Sequence, residues 1–474
     1  MTAIYSARWV LPIASPVIDF GAVAVEDDKI VGVGEARKIA ASFPHAPVTD
    51  FGASVILPGL VNVHTHLELT AMRGFLEREE HDFKAWLGKL TIARMAMTGH
   101  DLFISAACGA TEAARAGITC IGDSSSVATQ SMKAVGEIGL RGIIYQESFG
   151  PDPSVAEESV AGLRRELDAM HALSTDTIRA GVSPHAPYTV SAPQLEMISR
   201  MAIDGKLPLM MHAAESQAEK SFMLDGKGAF AEGLRKRNIE WRAPGISTIQ
   251  YLAQHGIMET KPLLAHCITV DDQDIETMVV SEASVAHCPK SNAKLRHGRA
   301  PFAKFLAANL KAGIGSDSVA SNNNCDILEE ARFATLLARS SADRVSRPTA
   351  RQGVVNEHAL ADARATAPIT AEQALFVLTL GGARALGLDN QIGALKEGLQ
   401  ADLTVVGLDG IHQQPIKNPV DTLIFSSSGR DVRMTMVAGK QIFRDGIVTT
   451  ADEPGLSSRL VLVRTKLEDT AKQQ

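Results

Sequence analysis

Cysteine is scarce in this sequence: five residues in 474, at positions 108, 120, 267, 288 and 325, with no CxxC pair among them. So odd and sparse a set argues against a disulfide framework and for a reducing compartment, and a cytoplasmic location is expected. Positive charge does not dominate either. Against 54 Asp and Glu stand 47 Lys and Arg, a formal net charge of −7, which gives no electrostatic case for nucleic acid or an anionic membrane as partner. No apolar run approaches the ~20 residues that span a bilayer. The opening MTAIYSARWVLPIASP lacks a basic region followed by a long apolar core, so no secretory signal is read. Internal repeats and low-complexity linkers are absent as well. What is present, 45% hydrophobic and 21% charged residues, is the composition of a globular protein.

Residues 1–57 read as short strands separated by acidic turns, as in VIDFGAVAVEDDKIVGVG, and residues 400–445 read the same way. Each half is small for a core of its own. The economical arrangement is one composite β-sandwich made by both chain ends, residues 1–57 and 396–455. A catalytic unit over 58–395 and a C-terminal extension over 456–474 complete the division; the polar tail from Lys466 is expected to fray. Between the ends, eight short apolar runs alternate with helical patterns: 60–64, 118–122, 142–146, 179–183, 209–212, 263–266, 284–287 and 312–316. The expected fold is therefore α/β, a (β/α)8 TIM barrel. A doubly wound sheet has the same periodicity, but here polar groups end many different strands rather than gathering at one switch point. Residues 371–386 read as one helix, with Thr370 and Gln373 as a capping box and Gly387 as the stop; Gly381 and Gly382 inside the run count against its continuity.

The chemistry begins at His64-Thr65-His66, in VILPGLVNVHTHLEL. Residues i and i+2 of a strand share a face, so both imidazoles can converge at the strand's C-terminal end. His212 closes the run LPLMMH, and Asp317 ends a glycine-rich apolar run where a lone carboxylate needs a metal or a paired donor. Three histidines and an aspartate suit one divalent ion with an open position. Zinc is favoured, and Fe2+ or Mn2+ can use the same ligands. The fourth strand offers no lysine to bridge a second ion. Glu215, three residues after His212, is placed to shuttle protons. His266 would hydrogen-bond the attacked centre or the attacking water. His185, stiffened by Pro184 and Pro187, would meet a substrate heteroatom, while Trp86 and Arg94 would line a lid over the site. His287 reads equally well as a supporting or a packing residue. Cys267 and Cys288 read as small core residues.

Read together, PGLVNVHTH, SPHAPYTVS, HAAES, AHC, HCPKSNAKL, GSDSVASNNN and GGARALGLDNQIGALKEGLQADLTVV resemble the amidohydrolase superfamily in its deaminase and chlorohydrolase branch, over nearly the whole chain. The resemblance implies a TIM barrel with a composite β-sandwich and a single divalent ion on His64, His66, His212 and Asp317. It also implies Glu215 as proton shuttle, His266 as polarising group, and hydrolytic deamination of an aromatic ring carbon, often by a homodimer. SPHAPYTVS and CPKSNAKL are similar to methylthioadenosine and S-adenosylhomocysteine deaminases. Those enzymes usually carry a ribose-binding glutamate after WL, where this chain has WLGKLTIARM with Arg94 and Met95. HTHLEL, with Glu68, and IIYQESFGPDP look more like aminofutalosine deaminases. That reading implies an adenine nucleoside with a carboxylated aromatic 5′ side, met by Arg94. Other aromatic amines or halides, and a non-catalytic barrel that only binds, are the remaining alternatives.

Overall fold

The computed structural model describes residues 1–341 and 368–472. Five strands precede the barrel: β1 (Thr2–Val10), β2 (Ile18–Glu26), β3 (Lys29–Glu35), β4 (Val48–Asp50) and β5 (Ser54–Pro58). Eight strands follow, β6 (Leu60–Thr65), β7 (Ile118–Ser125), β8 (Arg141–Ser148), β9 (Ile178–Pro184), β10 (Met210–Ala213), β11 (Leu263–His266), β12 (Ser284–His287) and β13 (Lys311–Ile314). β14 (Leu403–Gly407), β15 (Val432–Val437), β16 (Lys440–Arg444) and β17 (Ile447–Val448) return to the first group.

Strands from the two chain ends form a single hydrogen-bonded sheet, in the order β17-β16-β15-β14-β5-β1-β2-β3 with β4 alongside β1. The seam between the ends is the antiparallel pairing of β14 on β5, from Leu403 opposite Pro58 to Gly407 opposite Ser54. The period of two divides β5 between two cores. Ile56 packs with Tyr5, Val23, Val405 and Met434, so the halves of the sheet share one apolar interior. Its neighbours Val55 and Leu57 belong instead to the core shared with the barrel. A buried ion pair ties the two units together: Arg141 of β8 donates to Asp402 from Nε at 2.8 Å and from Nη2 at 3.0 Å.

All eight predicted strands are present and close into a (β/α)8 barrel. β6 to β9 form one parallel ladder and β10 to β13 another. Single bridges, Val182 with Leu209 and Thr65 with Asp317, join them. Val61, Val63, Cys120, Ile143, Met210, Ala265 and Ala286, drawn from six of these strands, pack together as the barrel interior. Strict alternation after Val63 would turn His64 outward. The register of β6 on β7 shifts between Asn62 and Thr65, and this irregularity lets consecutive residues Val63 and His64 both face inward. The pairing of His64 with His66 thus rests on a local break in the ladder as well as on the i, i+2 spacing.

Two expectations are corrected. The run after Thr370 has its capping box but is not one helix: it stops at Leu378, breaks at Thr379 (φ −126°, ψ −99°) and resumes over Leu380–Ala385. A Cβ on Gly382 would lie 2.9 Å from the Val61 side chain, and one on Gly381 would lie 2.9 Å from the Phe376 carbonyl oxygen. Only glycine lets this second piece press onto the barrel strands. The tail, secondly, does not fray from Lys466. Glu453–Lys472 is a helix that buries Val463 and Leu467. Arg464 caps the contact by donating to the Arg73 carbonyl at 2.7 Å. No helix among the described residues is long and apolar enough to cross a membrane.

Candidate active site

The C-terminal ends of the barrel strands bring His64, His66, His212 and Asp317 to one point. His66 Nε2 and His212 Nε2 stand 3.3 Å apart. Asp317 Oδ1 lies 3.4 Å from His64 Nε2 and 3.6 Å from His66 Nε2. The backbone that presents them is itself unusual. Asp317 and His266 sit in the left-handed region at φ 56° and 73°, a conformation that costs a non-glycine residue about 1–3 kcal/mol and persists where surrounding contacts impose it. Asp317 N–H bonds to the His64 carbonyl at 2.9 Å, so the closure of the barrel is also what sets this carboxylate beside the histidines.

Each of these groups is oriented from behind. Ser291 and Ser321 hydroxyls donate to Asp317 Oδ2 at 2.5 and 3.1 Å, leaving Oδ1 toward the imidazoles. His212 donates from Nδ1 to the His185 carbonyl at 3.0 Å, which turns Nε2 inward. Asp123 accepts from the Thr65 hydroxyl and the Leu67 N–H, both at 2.7 Å, and so grips the chain on either side of His66. Burial pushes Asp123 up to about 7.

These residues fit a divalent cation. His64 is completely buried, yet neither ring nitrogen has a hydrogen-bond partner, an expensive state for an imidazole unless a metal takes one nitrogen. Burial holds His64 down to about 4 and His212 well below its ordinary value, so both are neutral, the form that binds metal. Burial works against the Asp317 carboxylate, but the adjoining His64 and the charges of His266 and His66 keep it well below the usual range. His64, His66 and His212 offer one nitrogen each within 4.8 Å of one another, and Glu147, His185 and His212 form a second such set. The second is partly engaged: Arg94 donates to Glu147 Oε2 at 3.2 Å and His185 Nδ1 is 2.9 Å from the Thr189 hydroxyl, while the set shares His212 with the first. One cation on the first set is the arrangement the donors support.

Glu215 borders the same pocket and is 6% exposed. Glu219, which the sequence did not single out, fixes the loop that carries it by accepting from Ala214 N–H at 2.8 Å and Glu215 N–H at 2.9 Å. His266 Nε2 is 3.6 Å from Glu215 Oε1, and its Nδ1 donates to Asn292 Oδ1 at 2.8 Å. Burial lowers His266, but the facing charges of Glu215 and Asp317 more than offset it, leaving this imidazole above its ordinary value. The opposite wall is apolar and aromatic, with Leu69, Phe83, Trp86, Leu87, Leu90 and Leu295. Trp86 is buried with its indole N–H unpartnered.

Other predicted residues lie elsewhere or are otherwise engaged. Glu68 does not reach the pocket. It is 1% exposed and accepts from the Ser126 N–H at 3.0 Å and the Ser126 hydroxyl at 2.7 Å, at the start of the helix Ala128–Ile138, where a carboxylate satisfies free N–H groups. Arg94 does line the pocket, but its charge is met by Glu147, which the sequence reading missed although it stands in IIYQES. His185 borders the pocket beside His212, ring centroids 4.8 Å apart. His287 stacks on Phe302 at 4.5 Å and belongs to the packing. Cys267 and Cys288 are fully buried free thiols. Nothing in the sequence pointed to His297, whose Nε2 is 3.5 Å from Glu215 Oε1.

Fold and site together define a hydrolase of the metal-dependent barrel class. The chain belongs to the amidohydrolase family, whose model matches residues 55–442. It is 30% identical over 444 residues, 94% of each chain, to a 5-methylthioadenosine/S-adenosylhomocysteine deaminase of Moorella thermoacetica. It is 29% identical over 437 residues to a 5′-deoxyadenosine deaminase of Methanothermobacter thermautotrophicus, covering 91% of each. Among solved structures, an adenosine deaminase from Xanthomonas campestris with bound zinc superposes with a TM-score of 0.81 at 24% identity, covering 98% of both chains. An atrazine chlorohydrolase from Arthrobacter aurescens complexed with zinc gives 0.81 at 20% identity, covering 98% of this chain and 100% of that one. These two establish the shared fold.

Proposed function

We propose that the protein hydrolytically deaminates the adenine ring of a 5′-substituted nucleoside of the methylthioadenosine and S-adenosylhomocysteine class, releasing ammonia. The observation that carries this is that Glu215 and His266, 3.6 Å apart, line the same pocket as His66, His212 and Asp317. Relatives named as deaminases of such nucleosides, aligned over more than nine-tenths of the chain, support it. So does the apolar wall of the pocket, which suits the thioether stem that both nucleosides carry at the 5′ position.

A divalent cation, zinc by analogy with the relatives, would sit on His64, His66, His212 and Asp317 and supply Lewis acidity that makes water a nucleophile near neutral pH. Asp317 accepts a proton from the attacking water as its oxygen bonds to the amine-bearing carbon, C6 of the adenine. Glu215 in its acid form protonates N1 as the ring becomes tetrahedral. His266, held by Asn292, donates to the oxygen that develops charge. Asp317 passes the proton it took from water to the amino group, the C6–N bond breaks, and the remaining hydroxyl proton goes to Glu215, replacing the one given to N1, as the lactam and ammonia leave. His185 and Trp86 line the pocket and are placed to hold the substrate.

The aminofutalosine reading relied on Glu68 and Arg94. Glu68 is bound into a helix start and Arg94 is paired with Glu147, so neither offers free recognition of a carboxylate. Arg94 nevertheless borders the pocket and keeps a carboxylated adenine nucleoside as the second reading. Ammonia release from metal-replete enzyme, compared as kcat/KM for methylthioadenosine, S-adenosylhomocysteine, adenosine and aminofutalosine, decides. Preference for the sulfur nucleosides is the expected result. Preference for aminofutalosine, lost in R94M, would replace it with the second reading, and turnover of none would overturn both.

A further inference from the structure

His297 approaches Glu215 from the turn after the helix Pro289–Lys294. Its Nε2 is buried without a hydrogen-bond partner and lies 3.5 Å from Glu215 Oε1, the same oxygen that His266 Nε2 reaches at 3.6 Å. Two imidazoles therefore converge on one carboxylate oxygen. Tyr188 O–H faces the other, Oε2, at 3.5 Å. All three distances are long for hydrogen bonds, as catalytic contacts often are before substrate tightens them.

One residue ties the two histidines together, one by its ring and the other by its backbone. Asn292 accepts the His266 Nδ1 proton on its side-chain oxygen at 2.8 Å, while its backbone carbonyl accepts the His297 N–H at 2.9 Å. Arg296, in the left-handed region at φ 58°, bends the chain back after the helix Pro289–Lys294, and the Phe83 ring meets the His297 ring edge-on at 4.4 Å. Backbone and ring are thus fixed from both sides, a preorganisation that a surface loop histidine does not need.

We infer that His297 is a positioning residue for Glu215: its Nε2–H donates to Oε1, so that the carboxyl presents Oε2 for proton exchange with the substrate ring. Burial lowers His297 from its ordinary value, so it donates as a neutral imidazole and does not compete for the proton in transit. Mutual support of this kind is lost only when the pair is broken, and a double-mutant cycle isolates it. The inference rests on the proposed function only through the role of Glu215.

The test is a cycle of H297F, H297Q, E215Q and E215Q/H297F on the best substrate of the wild type. H297F is expected to lower kcat by ~10–100-fold with KM within ~3-fold and metal content unchanged, a loss typical of removing a group that orients a functional residue rather than the residue itself. H297Q, which keeps a donor, should recover most of that loss, and H297F should cost almost nothing on the E215Q background. H297A gives the same reading if the phenylalanine ring disturbs Phe83. Wild-type kcat in both H297F and H297A, or a loss that persists undiminished on the E215Q background, overturns the inference. Failure of the proposed function reads differently: the best substrate would then not be an adenine nucleoside, while the cycle still reports on His297.

Discussion

His66 Nε2 and His212 Nε2 face each other at 3.3 Å although 146 residues separate them in the chain. The barrel closes the distance between these segments, and the Nδ1 bond of His212 to the His185 carbonyl leaves the Nε2 lone pair of His212 pointing inward. A cation bound by these nitrogens and His64 should stabilise the fold by mass action. One equivalent of divalent metal is expected in the purified protein. A chelator should lower Tm in the wild type and leave H64A, with its weakened site, nearly unmoved. Full metal stoichiometry in H64A, measured by elemental analysis, would remove His64 from the ligand set.

Glu215 should be separable from the cation. E215Q keeps the shape of the side chain but cannot carry a proton, so kcat is expected to fall by ~10²–10⁴-fold with metal content unchanged. Turnover at the wild-type rate would exclude it as the shuttle.

Asp123 should make stability depend on pH. Its carboxyl stands near 7 in the folded protein against 3.8 as its ordinary value, because it is fully buried. Between these two values the folded state holds a proton that the unfolded state has lost. The contribution is therefore complete below pH 3.8 and declines as pH rises through 7. D123N carries no such titration. Relative to D123N, the wild type should lose Tm from pH 5 to pH 8; parallel curves for the two proteins would refute this.

Arg141 and Asp402 hold the composite sheet to the barrel, with side chains 3% and 1% exposed. R141M leaves the carboxylate buried without its partner, and also strips Asp402 of two of its donors, keeping only the Ala438 N–H at 2.9 Å. A loss of about 3–5 kcal/mol is expected from denaturant unfolding. A change under 1 kcal/mol would mean that water or a rearranged loop satisfies Asp402.

Much of the site was legible because metal chemistry marks its residues locally. A histidine or aspartate that closes an apolar run is conspicuous, and the strand supplies its direction, which is why the sequence pointed to His64, His66, His212, His266 and Asp317. Glu215 was legible as the carboxylate next to such a histidine. Glu68 looked alike in the sequence, yet it is consumed by the N–H and hydroxyl of Ser126 and by other groups at a helix start 58 residues away. Nothing near Glu68 in the chain could have announced that.

The sequence by itself determined the eight strands and the class of chemistry and pointed to the candidate cation ligands, since each depends on periodicity and residue type within a few positions. Tertiary structure alone decided where charge is already spent and which groups act in concert. Arg94 meets Glu147 across 53 residues, Asn292 bonds the His266 ring and the backbone of His297, and Gly381 and Gly382 let the helical piece after the break at Thr379 press on the barrel strands. These are contacts between distant segments, and their energies exist only once the barrel has closed and excluded water from between them.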